Sequence, residues 1–174
     1  MKVKFLDLKV QYDQIKPEVM AAWETILDNT AYVGGPAVGE FETAFATYCQ
    51  SKYALGLANG TEAIEVALRA MEIGPGDEVI VPTNTFIATA EAVSATGAKI
   101  VLVDNEPGTY LIDTRQIEAV ITPRTKVIIP VHLYGQPADL DAVHAIAEKH
   151  GIAVLEDAAQ AHGAYYKGKR IGSG

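Results

Sequence analysis

The sequence predicts an α/β fold built on a doubly wound, mainly parallel sheet. From Tyr53 onward, short apolar runs typical of buried strands alternate with segments in which apolar residues recur at helical spacing. Strict alternation of this kind implies crossover helices between parallel strands. The chain has 174 residues, of which 49% are hydrophobic, and no repeat or low-complexity linker interrupts it. A substantial core of ordinary size is therefore expected.

The first 52 residues are expected to form a helical segment with a glycine-rich loop. Apolar residues recur at helical spacing over residues 11–28, where Pro17 is early enough to fit a first turn, and again over residues 40–49. Residues 31–39 contain three glycines and are expected to be a flexible loop. We therefore divide the chain into residues 1–52 and residues 53–174.

The second segment is expected to contain the sheet. The predicted strands cover residues 53–57, 78–81, 99–103, 126–131 and 152–156. The predicted helices cover residues 61–71, 87–96 and 140–150, and a further helix follows the capping pair Asp113 and Gln116. Residues 165–174 are expected to be a loop.

Composition excludes several classes of function. The 14 basic and 22 acidic residues give a net charge of −8, which argues against a nucleic-acid partner. The single cysteine, Cys49, permits no intrachain disulfide and favours a cytoplasmic location. No apolar run approaches the length of a membrane span, so no membrane association is expected.

Two features before the third predicted strand suggest ligand binding. The predicted strand 53–57 runs into Asn59-Gly60-Thr61, where a helix begins, and free N–H groups at a helix start bind anions. The alternative is that Thr61 only caps its helix. Phe86 follows the strand 78–81 and could stack on a flat ligand, or it could belong to the core.

The last predicted strand ends in two carboxylates, Glu156 and Asp157, followed by Gln160 and His162. Consecutive strand residues face opposite sides, so one carboxylate can point at a ligand while the other points away. Ligands of open parallel sheets bind beyond the carboxyl ends of the strands, which is where Asp157 is expected.

Other familiar motifs do not fit. Residues 163–170 approach a phosphate-binding P-loop, but Arg170 replaces the hydroxyl residue and no apolar helix follows. The first strand lacks the G-x-G-x-x-G of nicotinamide-binding domains. The four histidines do not have zinc-ligand spacing, so no metal site is predicted.

Three of these features together suit a flat, phosphorylated heteroaromatic ligand. They are the anion site at Gly60 and Thr61, the ring of Phe86, and the carboxylate of Asp157 with Gln160. Pyridoxal phosphate fits this description, because a carboxylate beside the pyridine nitrogen keeps that nitrogen protonated and makes the ring an electron sink.

The chain resembles the DegT/StrS family of pyridoxal-phosphate-dependent sugar aminotransferases of fold type I. The resemblance rests on the motifs at residues 5–8, 34–36, 59–63, 82–89, 132–135 and 156–163. It implies the incomplete large domain of an aspartate-aminotransferase-like enzyme and a homodimer.

The resemblance also implies roles for individual residues. Gly60 and Thr61 would hold the cofactor phosphate, and Phe86 would stack on the ring. Asp157 would pair with the pyridine nitrogen, while Gln160 would approach the ring oxygen. Gly34 and His162 would lie on the substrate side.

The reaction implied is amino transfer from glutamate to a keto sugar attached to a nucleotide. The opening motif at residues 5–12 is most similar to members acting on dTDP-linked 3-keto-6-deoxysugars. Family members are roughly twice as long and carry their Schiff-base lysine later in the chain, in a context that neither Lys167 nor Lys169 matches. No catalytic residue is therefore assigned, and the 174-residue chain alone is expected to be inactive.

Three alternatives remain. A sugar dehydratase of the same family would replace the lysine with another base. A noncatalytic module would keep the fold for dimerisation or binding. A doubly wound nucleotide-binding domain of other function would lack pyridoxal phosphate altogether.

Overall fold

The computed structural model describes residues 3–173 and contains two compact units, Met1–Ala44 and Phe45–Gly174. The boundary between these units falls inside a helix. The division between residues 52 and 53 that the sequence suggests stays a prediction.

The helical character predicted for the N-terminal segment is confirmed. Helix α1 is Leu8–Asp28, and its start is fixed by Asp7, whose side chain accepts a hydrogen bond from the Lys9 backbone N–H. Pro17 therefore lies in the helix interior and not in the first turn, because the helix begins earlier than predicted. None of the residues of α1 is buried. Among residues 3–173, no helix is both long enough and apolar enough to cross a membrane.

Helix α2 is Pro36–Cys49, and it begins at a proline because the first helical N–H needs no intrahelical partner. Gly34 and Gly35, which precede α2, have φ angles of 64° and 89°. This left-handed backbone suits glycine in the loop between the two helices.

The predicted parallel sheet is confirmed. Its four strands are β1 (Glu78–Pro82), β2 (Lys99–Val103), β3 (Thr125–Ile128) and β4 (Ala153–Val154), in the spatial order β2-β1-β3-β4. All three neighbouring pairs are parallel. In the central pairing, Ile80 lies opposite Val101 on one side and Ile128 on the other.

Helices cover both faces of this sheet, as a doubly wound fold requires. They are α3 (Gly60–Ala70), α4 (Ala88–Thr96), α5 (Thr114–Val120) and α6 (Leu140–His150). Alternate residues of β1 enter different cores: Val79 and Val81 pack in one cluster with residues of α3 and α4, and Ile80 packs in another with residues of α5 and α6. All residues of β1 are buried, which is why Val79, Ile80 and Val81 form a continuous apolar run.

Several predicted helix ends are confirmed. The side chains of Asp113 and Asp139 accept hydrogen bonds from the first turns of α5 and α6. Gly97 and Gly151 end α4 and α6 in the left-handed conformation that glycine adopts without strain.

The predicted strand at residues 53–57 is wrong. These residues belong to no strand, and Tyr53 and Leu55 are 76% and 74% exposed. A strand needs a neighbouring strand to pair its backbone groups, and neither sheet within residues 3–173 includes this segment. The apolar run indicates strand propensity, but it does not show whether a neighbouring strand is present.

The loop predicted at residues 165–174 is also wrong in part. Strands β5 (Tyr165–Tyr166) and β6 (Lys169–Arg170) form an antiparallel hairpin. Lys167 and Gly168 have φ angles of 48° and 84°, the two positive values that a tight type I′ turn requires. Lysine seldom adopts this conformation, so residue types alone do not predict the turn.

Candidate functional site

A cavity of about 580 Å³ lies where β1, β3 and β4 end and α3 begins. It brings together the predicted site residues of the second unit, which are Gly60, Thr61, Phe86, Asp157, Gln160 and His162. Gly34 belongs to the first unit, and its role stays a prediction.

The start of α3 offers two N–H groups to the cavity. Asn59 caps the helix by accepting a 2.9 Å hydrogen bond from the Glu62 N–H, and the Glu62 side chain accepts in return from the Ala58 N–H. Because Asn59 is the cap, the interpretation of Thr61 as the capping residue is wrong. Within residues 3–173, no acceptor contacts the N–H groups of Gly60 and Thr61, which occupy the first two helical positions.

The aromatic side chain of Phe86 lies in the loop between β1 and α4 and is 68% exposed. Its interpretation as a core residue is therefore wrong. The ring lines the cavity, where it provides a flat apolar surface.

Asp157 is buried, with 8% of its surface exposed, and a bridge between Asp157 and Val131 continues the pairing of β3 and β4. The Asp157 N–H donates to the Pro130 carbonyl, and the Asp157 carbonyl accepts from the His132 N–H, each at 3.0 Å. Its carboxylate accepts from the Thr89 hydroxyl at 2.7 Å and from the Ala159 N–H at 3.2 Å. These contacts hold an acceptor group at the cavity wall.

Glu156 serves a different purpose from Asp157. Its Oε2 lies 2.9 Å from Nε2 of His132, a ring that is fully buried. The Ala138 N–H donates to Nδ1 of the same ring at 3.0 Å, so Nδ1 is the acceptor and the proton must reside on Nε2. His132 therefore donates to Glu156, which fixes the backbone on both sides of the Val131 bridge.

Gln160 is oriented by a turn that follows β3. Its Oε1 accepts a 2.8 Å hydrogen bond from the Tyr134 N–H. Tyr134 and Gly135 have φ angles of 59° and 83°, so this turn is left-handed at both residues. With Oε1 engaged, the side-chain NH2 of Gln160 remains as a donor at the cavity.

His162 lies at the end of a row of packed side chains. The ring of Phe45 meets the His162 ring edge-on with a centroid distance of 5.9 Å, and Phe45 also stacks on Tyr48. The guanidinium of Arg170 lies 4.1 Å from the Tyr48 ring centroid. Phe45 and His162 both line the cavity.

Sequence reasoning missed Thr85, Thr89 and the pairing of His132 with Glu156. Thr89 is fully buried, and its hydroxyl links Thr85 to Asp157. The sequence gives no signal for this contact, because a helical threonine ordinarily bonds to its own preceding turn. The weak signal for His132 was its position after a strand.

The cavity thus offers free N–H donors, an aromatic face, an amide donor and a fixed carboxylate acceptor. The model of the DegT/DnrJ/EryC1/StrS aminotransferase family matches residues 13–174. The chain belongs to this family.

Two relatives in this family are enzymes named for sugar substrates. The chain is 50% identical over 173 residues to dTDP-3-amino-3,4,6-trideoxy-alpha-D-glucose transaminase of Streptomyces venezuelae, covering 99% of this chain and 46% of the relative. It is 52% identical over 168 residues to UDP-2-acetamido-2-deoxy-3-oxo-D-glucuronate aminotransferase of Pseudomonas aeruginosa, covering 97% and 47%. The chain therefore spans about half the length of these relatives.

Solved structures of the DegT family share the fold. S. venezuelae DesV, solved in complex with a ketimine intermediate, matches with a TM-score of 0.97 at 50% identity, covering 99% of this chain and 47% of that chain. NtdA of Bacillus subtilis, solved with bound cofactor PMP, matches with a TM-score of 0.87 at 38% identity, covering 91% and 37%. The second unit is thus part of an aspartate-aminotransferase-like fold.

Proposed function

We propose that this chain belongs to a pyridoxal-phosphate-dependent aminotransferase that moves an amino group from glutamate to a nucleotide-linked keto sugar. The observation that carries the proposal is that one cavity contains both free N–H groups at the start of α3 and the buried carboxylate of Asp157. A phosphorylated pyridine needs both an anion site and an acceptor for its ring N–H.

The residues present fit this cofactor. A Cβ built on Gly60 would meet no atom within 4 Å, so the space beside the free N–H groups is open. Phe86 exposes its ring to the cavity, and Asp157 is held as an acceptor by Thr89 and Ala159. When bound, pyridoxal phosphate supplies an electron sink for carbanion chemistry.

Each side chain then has a defined task. Gly60 and Thr61 bind the phosphate through backbone N–H groups and the Thr61 hydroxyl, with the helix dipole adding attraction. Phe86 stacks on the ring, and Asp157 keeps the proton on the ring nitrogen. Gln160 donates from its NH2 group to the ring oxygen, since its Oε1 is engaged by Tyr134.

The catalytic lysine is proposed to come from polypeptide outside this chain. None of the described residues that line the cavity is a lysine. Lys167 forms an ion pair with Asp141, and Lys169 lies in β6. Neither side chain supplies the proton-transferring amine.

The substrate side of the site is proposed from two residues and one sequence motif. His162 lines the cavity and Gly34 precedes α2, and we assign both to substrate binding. The opening motif at residues 5–12 and the S. venezuelae relative favour a dTDP-linked 3-keto-6-deoxysugar. Side-by-side assays of dTDP-3-keto and dTDP-4-keto sugars test this choice, and preference for the 4-keto sugar would overturn it.

We propose a homodimer in the cytoplasm, with residues 53–174 contributing to the cofactor domain. The single cysteine and the nucleotide-linked substrate are consistent with a reducing compartment.

The decisive experiment is the intact mass of the purified protein after incubation with pyridoxal phosphate, with and without borohydride. A mass well above 18.6 kDa that gains one reduced cofactor supports a lysine-bearing aminotransferase. A longer chain that binds the cofactor without a borohydride-stable adduct favours the dehydratase. A mass that matches a chain of 174 residues, with no bound cofactor, favours a noncatalytic module.

A further inference from the structure

Two threonines form a hydrogen-bonded chain that ends on Asp157. The Thr89 hydroxyl lies 2.7 Å from Oδ2 of Asp157, and Thr89 is fully buried in the first turns of α4. Oγ1 of Thr85, in the loop before α4, lies 3.1 Å from Oγ1 of Thr89.

The direction of this chain follows from counting protons. A carboxylate only accepts hydrogen bonds, and a threonine hydroxyl has one proton to donate. Thr89 therefore gives its proton to Asp157, and Thr85 must be the donor to Thr89. The Phe86 carbonyl, at 3.5 Å from Oγ1 of Thr89, is a much weaker competitor for that proton.

The chain restricts the Asp157 side chain at both oxygens. Oδ2 accepts from Thr89, and Oδ1 accepts from the Ala159 N–H at 3.2 Å. Two donors from different elements fix the plane of the carboxylate. Each oxygen has further lone-pair capacity that can face the cavity.

We propose that Thr89 is a positioning residue that aims the Asp157 carboxylate at the ring nitrogen of the cofactor, with Thr85 ordering the Thr89 hydroxyl. This inference rests on the proposed function. Without the Thr89 hydroxyl, the Ala159 N–H is the one described donor that still restrains the carboxylate. The carboxylate then turns more readily about its last side-chain bond, and its hydrogen bond to the ring nitrogen weakens.

The test uses pyridoxamine phosphate labelled with 15N in the ring, because this form of the cofactor needs no lysine to bind. Titration gives the affinity, and the 15N chemical shift reports the protonation of the bound ring nitrogen. Thr89→Val is nearly isosteric but lacks the hydroxyl, whereas Thr89→Ser keeps it.

We expect Thr89→Val to bind about fivefold more weakly, as expected for loss of one hydrogen bond, and to move the 15N signal toward that of the neutral pyridine. Thr89→Ser should remain within about twofold of the original affinity and keep the original shift. Thr96→Val is the matched control, because Thr96 is buried in the same helix. Its described hydroxyl hydrogen bonds are to the nearby backbone of Val93 and Ala98.

The outcomes are distinguishable. Failure of the unaltered protein to bind pyridoxamine phosphate overturns the proposed function and this inference with it. Binding by the unaltered protein with an unchanged affinity and 15N shift in Thr89→Val overturns the inference alone. If Thr89→Val does not fold, Thr85→Val provides the test. The inference requires the 15N signal of Thr85→Val to move in the same direction as predicted for Thr89→Val, but by less. An unchanged 15N shift in Thr85→Val contradicts the inference.

Discussion

At the scale of single residues, Glu78 shows how a buried charge is retained away from the cavity. It begins β1 and is only 1% exposed. The Thr122 hydroxyl, Arg124 and Lys99 all donate to its carboxylate. These hydrogen bonds, that from Thr122 first, lower the pKa of Glu78 to about 2.

The lowered pKa predicts acid sensitivity. Since the folded pKa lies below the ordinary value of 4.5, the contribution of Glu78 to stability is complete above that value and is lost as pH falls toward about 2. Urea unfolding at pH 6 and pH 3 measures the effect. Glu78→Gln should destabilise more at pH 6 than at pH 3, and the exposed Glu148→Gln should show little dependence. Equal losses at both pH values would contradict the assignment.

The buried pair of His132 and Glu156 makes a second prediction. Glu156→Leu leaves the Nε2–H of His132 without its acceptor, and the ring cannot change tautomer because Nδ1 accepts from Ala138. We expect a loss of about 1–3 kcal/mol in the free energy of unfolding.

Glu156→Gln keeps an acceptor oxygen and should lose much less stability, while the exposed Glu148→Leu serves as the control. Urea unfolding of all three variants gives the comparison. Equal stability of Glu156→Leu and Glu148→Leu would show that the pair adds nothing.

At the scale of elements, the start of α3 separates capping from ligand binding. Asn59→Ala should lower the free energy of unfolding by about 1 kcal/mol, because Asn59 is the cap. Thr61→Val should leave stability nearly unchanged and weaken pyridoxamine phosphate binding about fivefold, because only the phosphate contact is lost. Thermal unfolding and titration provide the two measurements. A loss of stability in Thr61→Val as large as in Asn59→Ala would restore Thr61 as the cap.

Two glycines, one in the β5–β6 hairpin and one in α2, are expected to respond in opposite directions to substitution by alanine. Gly168 has φ of 84°, so Gly168→Ala should destabilise the hairpin by about 1 kcal/mol. Gly39 lies in α2 with space for a Cβ, so Gly39→Ala should stabilise its helix by about 0.5–1 kcal/mol. Amide exchange of β5, β6 and α2 measures both effects. Faster exchange in α2 of Gly39→Ala, or unchanged exchange in the hairpin of Gly168→Ala, would contradict them.

At the scale of the whole molecule, the sequence predicted what depends on local pattern and failed where distant residues decide. Short apolar runs predicted the strands that pair in the sheet, and the capping pair Asp113 and Gln116 predicted helix α5. The run at residues 53–57 has the same pattern, but its strand status depends on a neighbour that the pattern cannot report. The Lys167-Gly168 turn required a lysine in an uncommon conformation.

The residues of the site also separate into those that local pattern predicts and those that depend on distant contacts. Five site residues could be expected at one edge of the sheet, because each follows a strand or opens a helix. They are Gly60, Thr61, Phe86, Asp157 and Gln160. The contact between Thr89 and Asp157 joins residues far apart in the sequence, and nothing local to either residue announces it.

The chain as a whole is expected not to catalyse transamination alone. A cofactor site without a lysine can bind and orient, but it has no amine to accept and return the proton. The measurement is amino-sugar formation from glutamate, a dTDP-linked keto sugar and pyridoxal phosphate, with a full-length family member as the positive control. Turnover by the 174-residue chain above background would refute the expectation.

The arrangement of donors and acceptors gives the cavity an electrical polarity. Helix α3 presents the positive end of its peptide dipoles, and the chain that follows β4 presents the carboxylate of Asp157. A flat molecule that is anionic at one end and carries an N–H at the other fits only one way round. Reversed, it would oppose two negative groups and leave the helix N–H groups unmatched. These two walls therefore determine which end of such a molecule lies at the start of α3 and which end lies at Asp157.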